Sequence, residues 1–242
     1  MVELANILGV RIDNLTKKEI LQKVNEFILQ DKFHQIATIN PEFVLEAQKN
    51  PEFKKILNSC DLNVADGFGI KYAFWRYGKN LKCRMAGTDL MLEILEMTNR
   101  NGLKIFLAAK KEGLSSWQET RDSILRLHPN LNISGDNIDT KNPNYKLPVT
   151  NYDAVFCNFG APAQELFINS VKNDNIRLAM GVGGSFDFLT GKVKRAPLFF
   201  RRGGLEWLWR LGQPQPWKFK KERLKRIFRA VIIFPVKIIF SK

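Results

Sequence analysis

Short apolar runs, each closing on a polar or glycine-rich turn and each followed by residues at helical spacing, limit this fold most. His34–Ile39 (HQIATI), Leu62–Ala65, Leu103–Ala109, Leu131–Ser134, Ala154–Phe159 and Arg177–Val182 read as strands. Between them, Thr16-Lys-Lys-Glu19 fits a capping box ahead of a helix reaching about Gln30. Asn40-Pro41 and Asn50-Pro51 each place an N-cap before a proline suited to a first helical turn. Further helices are predicted over Gly67–Tyr77, over Asp89–Arg100 with Thr88 as cap, over Leu114–Leu127, and from Pro162 onward. Asp136–Thr150, rich in Asn, Asp, Pro and Lys, reads as a loop. Strand alternating with helix predicts an α/β fold, a mostly parallel sheet with helices on both faces.

In such sheets ligands bind outside the carboxyl ends of the strands. Candidate positions fall there and at one helix start. Asp66 closes the run Cys60–Gly69 (CDLNVADGFG), where an acid serves either as a general base or as the cap of the next helix. Thr38 and Asn40 end the preceding strand. Arg84 precedes a helix start, where it either helps hold an anion or is simply solvated. Gly181-Val-Gly183-Gly184 follows the last strand, but a dinucleotide fingerprint needs a third glycine where Phe186 stands and an acid where a basic pair stands. NAD is rejected; a phosphate-facing turn and a plain tight turn both remain. Two histidines and no Asp-x-Asp pair give metal chemistry poor support, so a diphosphate leaving group would fall to Arg, Lys and backbone N–H groups. Cys60, Cys83 and Cys157 form neither a disulfide framework nor a CxxC pair, and Met1–Val10 carries no secretory signal; both suit a reducing cytosol.

The net charge of +14 is concentrated at one end. Lys192–Lys242 holds 15 Lys/Arg against 2 Asp/Glu, leaving the first 191 residues near neutrality at +1. Such a tail seeks an anionic partner: a membrane surface, nucleic acid or a phosphorylated substrate. Trp217, Leu224, Ile227, Phe228 and Val231 share one predicted helical face, and Lys218, Lys221, Lys225, Arg226 and Arg229 the other. That is the pattern of a helix lying in a membrane interface, with a solvated charged helix as the plainer account. The run Ala230–Phe240 is too short to span a bilayer and is broken by Pro235 and Lys237. A rival from another class is a lipid- or nucleic-acid-binding tail on a catalytically silent body, with nucleic acid ranked below lipid.

As a set, Thr38-x-Asn40-Pro-Glu42, Ala65-Asp66-Gly67, Arg84-x-x-Gly87-Thr-Asp89, Gly160-x-Pro162-x-Gln164-Glu165, GVGGSFDFLTGKVKRAP (Gly181 to Pro197) and GLEWLWRL (Gly204 to Leu211) resemble the bacterial WecG/TagA/CpsF glycosyltransferases. The resemblance implies a compact Rossmann-like domain over residues 1–197 and a basic, aromatic, membrane-associating appendage over 198–242. It implies a metal-independent, cofactor-free inverting transferase. The enzyme would move N-acetylmannosamine or a related sugar from a UDP-sugar donor to a polyprenyl-diphosphate-linked N-acetylglucosamine acceptor, working at the inner face of the plasma membrane. Carried over by position, Asp66 would be the base. Thr38, Asn40, Arg84 and Gln164 would line the pocket, the Gly183–Gly184 turn would face phosphate, and Arg210 would belong to the closing appendage. Ala163, where the family commonly has a basic residue, and Gln215-Pro-x-Lys218, in place of an acidic-Pro-x-Arg pattern, depart from it.

Overall fold

The computed structural model describes residues 3–100, 102–142, 145–148, 150–173, 175–212 and 217–241, without the side chains of residues 202, 210, 217–220, 222 and 223. In chain order the elements begin with β1 (Glu3–Ile7), β2 (Val10–Asn14), α1 (Lys17–Leu29), β3 (His34–Ile39), α2 (Pro41–Ala47), α3 (Pro51–Ser59) and β4 (Leu62–Ala65). They continue with α4 (Phe68–Arg76), α5 (Gly87–Arg100), β5 (Lys104–Lys110), α6 (Trp117–Leu125), β6 (Asn132–Ile138), β7 (Tyr152–Cys157), α7 (Ala163–Ser170) and β8 (Ile176–Gly181). After these come α8 (Ser185–Leu189), α9 (Leu198–Arg202), α10 (Glu206–Leu211), α11 (Trp217–Phe228), a π-helical turn (Arg229–Ile233) and α12 (Phe234–Ile239).

β3 to β8 make one parallel sheet in the order β4-β3-β8-β7-β5-β6. β3, β4, β5, β7 and β8 are buried along nearly their whole length, so the side-chain period of two divides them between cores on the two faces, while β6 at the edge is mostly half-buried or exposed. On β3, Ile36 joins the core under α1 and α5, while Ala37 and Ile39 join the one under α2, α3 and α4. β7 does the same with Ala154 and Phe156 on one side, Val155 and Cys157 on the other. The α/β expectation holds, helices covering both faces.

Three local expectations change. Thr88 does not cap α5: the helix already includes Gly87, and the Thr88 hydroxyl lies 2.8 Å from Ser185 Oγ. Ser116, in a capping box with Glu119, starts α6 later than Leu114. β6 runs on to Ile138 because its full length pairs with β5, so the loop begins after the strand rather than at Asp136. The β1–β2 hairpin is new, and it lays Ile7, Val10 and Ile12 on the core of α2 and α3. At the other end of the chain, Phe234 and Ile238 of α12 are buried in that same core. Among the described residues no helix is long and apolar enough to cross a membrane.

Candidate active site

Parallel pairing sets the carboxyl ends of β4, β3, β8 and β7 in a row. The register Thr38↔Val64 and Ile39↔Ala65 brings the residues that follow, Asn40 and Asp66, out of the sheet side by side. The pairing continues one step further, since Asp66 N–H donates to Ile39 O at 2.7 Å. Asp66 is half-buried, and the cap position of α4 falls on Gly67 rather than on Asp66. Asn40 caps α2, its Oδ1 accepting from Glu42 N–H at 2.9 Å and Phe43 N–H at 3.2 Å. Thr38 is buried, its hydroxyl packed under Gly87 at the start of α5.

The same strand end recruits α5. Met85 N–H donates to Ala65 O at 3.0 Å, which brings Arg84 alongside the Asp66 turn. Arg84 Nη2 donates to Arg201 O at 2.7 Å and lines an open groove of about 480 Å³ together with Asp89, Cys83 and Lys17. One turn into α5, Asp89 Oδ1 accepts from Arg195 Nη2 at 2.7 Å and lies 3.8 Å from Arg201 Nη1. Two arginines thus meet Asp89 and a third reaches the Arg201 carbonyl, a cluster of cations near a helix N-terminus, in a groove that Glu93 and Glu96 also line. The motifs contained Arg84 and Asp89; nothing local in the sequence tied them to Arg195 and Arg201.

Behind the glycine turns lies Gln164, fully buried. Its Oε1 accepts from Gly160 N–H at 3.0 Å, after β7, and from Gly183 N–H at 3.1 Å, after β8. Its Nε2 donates to Glu165 Oε1 at 2.7 Å. Gln164 therefore meets the site through the two turns it supports. Burial alone pushes Glu165 up to about 8, since water is not there to solvate the charge.

Residues of the C-terminal segment pack beside this row. Gly204 (φ +72) lies so near Phe68 that a Cβ there would fall 2.5 Å from the ring. Glu42 of α2 lies 3.7 Å from Arg229 Nη1 and 3.8 Å from Arg226 Nε, and Glu46 3.3 Å from Arg229 Nη2. Burial raises the Glu42 carboxyl, with Arg229 and Arg226 opposing the shift. Of the face read as apolar, Leu224, Phe228 and Val231 are exposed and Ile227 half-buried, and the row continues through Ile232, Val236 and Phe240. The Arg210, Trp217 and Lys218 side chains and residues 213–216, with the Gln215 departure, lie outside the described residues.

Residues 5–241 match the model of the glycosyl transferase WecG/TagA/CpsF family. Similar curated proteins include an N-acetylglucosaminyldiphosphoundecaprenol N-acetyl-beta-D-mannosaminyltransferase of Bacillus spizizenii, 34% identical over 79% of this chain and 76% of that protein. Proteins of the same description occur in Bacillus subtilis, 32% identical over 87% and 80% of the two chains, and in Staphylococcus aureus, 30% identical over 98% and 92%.

Proposed function

The chain belongs to the WecG/TagA/CpsF family of glycosyltransferases, and from that premise we propose its reaction: transfer of N-acetylmannosamine from a UDP-sugar to undecaprenyl-diphosphate-linked N-acetylglucosamine, with inversion and without a metal. The observation that carries the reading is the adjacency of Asp66 and Asn40 at paired strand ends, inside an arc of glycine turns and arginines. Asp66 takes the proton of the acceptor hydroxyl as its oxygen attacks the anomeric carbon from the face opposite UDP. The bond from that carbon to the β-phosphate oxygen breaks, and UDP leaves with the electron pair.

Arg84 and the N-terminus of α5 receive the growing negative charge, with Arg210 of the appendage as a further cation. Thr38 and Asn40 shape the sugar pocket, Gln164 holds its far wall, and Gly183 and Gly184 let the backbone approach phosphate. The domain of residues 1–197 carries the chemistry. The appendage of 198–242 covers the site and rests on the inner face of the plasma membrane, where the acceptor lies. No cofactor takes part.

The test is a screen of UDP-sugars against a soluble analogue of the lipid-linked N-acetylglucosamine, with and without a chelator. UDP-N-acetylmannosamine is expected to be consumed, an acceptor disaccharide to form, and the chelator to leave the rate unchanged. Donor turnover without acceptor, or a rate abolished by chelation and restored by a divalent ion, would overturn the reading.

A further inference from the structure

Glu165 is an acid in a place where an apolar side chain would cost less. It is fully buried on α7, and its Oε2 meets no hydrogen-bond partner among the described residues. Burying a carboxyl without a full set of partners is unfavourable. What it does contribute is one acceptor, Oε1, for the Gln164 amide at 2.7 Å. An amide has a donor end and an acceptor end, and here only one orientation works. Turned over, Gln164 would point its –NH2 at the N–H groups of Gly160 and Gly183, donor against donor. The pair is also tightly enclosed: a Cβ on Gly181 would lie 2.2 Å from Gln164 Nε2 and 2.7 Å from Glu165 Oε1.

We propose that Glu165 is a positioning residue of the transferase: by fixing the Gln164 amide it ties the Gly160 and Gly183 turns into one rigid wall of the sugar-nucleotide site. The inference rests on the reaction proposed above for what the wall is for, and on geometry alone for the wall itself. β7 and β8 are neighbours, so a single amide oxygen reaches both turns; it adds to the Val182 N–H to Cys157 O bond at 2.8 Å between the strand ends and to the Ser185–Thr88 hydroxyl contact beside the second turn. The titratable groups facing Glu165 are the thiols of Cys60, after α3, and Cys157, on β7, both raised by burial and both neutral. Among the described residues no charged side chain is paired with it, so it serves this role as the neutral acid, with Oε1 as its carbonyl oxygen.

The experiment compares full-length wild type, E165Q and E165L by hydrogen exchange at the glycine amides and by transfer kinetics. E165Q keeps an acceptor oxygen and is expected to keep both. E165L leaves a buried donor unpaired. It is expected to lose about 10-fold or more of the protection at Gly160 and Gly183, with the sheet amides unchanged, and to raise the donor KM by about 10-fold. Wild-type protection at those two glycines in E165L would overturn the inference. So would an E165Q enzyme that keeps the protection but loses kcat, because the carboxyl would then be moving a proton. If E165L does not fold, E165M, which fills a similar volume and also lacks an acceptor oxygen, takes its place with the same expected losses, and wild-type protection at the two glycines in it would overturn the inference. A wild-type protein that transfers no sugar yet shows the exchange pattern would refute the proposed reaction and leave the wall standing.

Discussion

Asp66 donates its backbone N–H to the carbonyl oxygen of Ile39 at 2.7 Å, so the pairing of β3 and β4 continues past both strands and fixes where the acid stands. Its position is a property of the sheet, in which β4 is buried along its length and paired to β3. A substitution that spares the backbone should therefore alter chemistry without altering geometry.

D66N keeps the shape and removes the base. Transfer to the lipid-linked acceptor is expected to fall by about 100- to 10,000-fold in kcat. Donor binding by calorimetry should stay within about threefold, since a half-buried isostere disturbs little packing. Near-wild-type transfer would remove Asp66 from the chemistry.

The contact of Gly204 with Phe68 joins the appendage to the residues directly after Asp66 and Gly67. G204A forces a Cβ into the Phe68 ring, at 2.5 Å from its nearest atom, and places a side chain at φ +72. Backbone strain of this kind costs about 1–3 kcal/mol. The appendage should lift while the body keeps its sheet: thermal unfolding of the body shifts little, and the donor KM rises several-fold. F68A in the same chain opens room for the Cβ and should recover part of the loss, which separates a steric effect from a general one.

Glu165 also makes stability depend on pH, and the sign is fixed. In the folded protein its carboxyl sits at about 8; in the unfolded chain it returns to the ordinary carboxylate range. Between those values the folded state holds the extra proton, so stability falls as pH rises from about 4.5 to about 8 and levels off above. The difference is on the order of 4 to 5 kcal/mol. Urea midpoints of wild type relative to E165Q, taken at pH 5, 6.5 and 8.5, should fall in that order. The comparison cancels Asp13 and Glu42, whose carboxyls burial also raises. A constant difference across the series would mean that Glu165 titrates normally.

The parallel sheet was legible because its strands are short, apolar and bounded by helix caps, signals that need no partner. The positions of Asp66 and Asn40 were legible for the same reason, each standing at the end of such a run, and that of Arg84 because it precedes a helix start. The hairpin escaped notice because its turn places Leu8 at φ +51 beside Gly9 at φ +80, and a leucine there is the opposite of the Asn-Gly signal for a tight hairpin. The arginine cluster around Asp89 joins residues more than a hundred positions apart. Glu165 read as the second half of a motif, because nothing in a linear pattern reveals that an acid is buried. The basic tail was legible in composition, but its docking through Phe234 and Ile238 was not, as those two apolar residues look like their exposed neighbours.

That docking decides how membrane attachment should be tested. Removing the tail outright would strip Phe234 and Ile238 from the core and unsettle α2 and α4, so loss of binding would be uninformative. The exposed row is a cleaner target. Leu224, Phe228, Ile232, Val236 and Phe240 recur every fourth residue, each at least 47% exposed. In a pure α-helix such a row drifts around the axis, but the wider π turn at Arg229–Ile233 rotates it back, keeping it on one side. Replacing Leu224, Phe228 and Ile232 together by serine leaves the core untouched, so thermal unfolding should hold. Each side chain gains about 1.5–3 kcal/mol on full burial, so even partial insertion of three predicts at least a 10-fold loss of co-sedimentation with anionic vesicles. Wild-type binding should also weaken as salt screens the lysines and arginines of the same helix. Undiminished binding by the triple variant would leave the cations alone as the attachment and the apolar row without a role at the membrane.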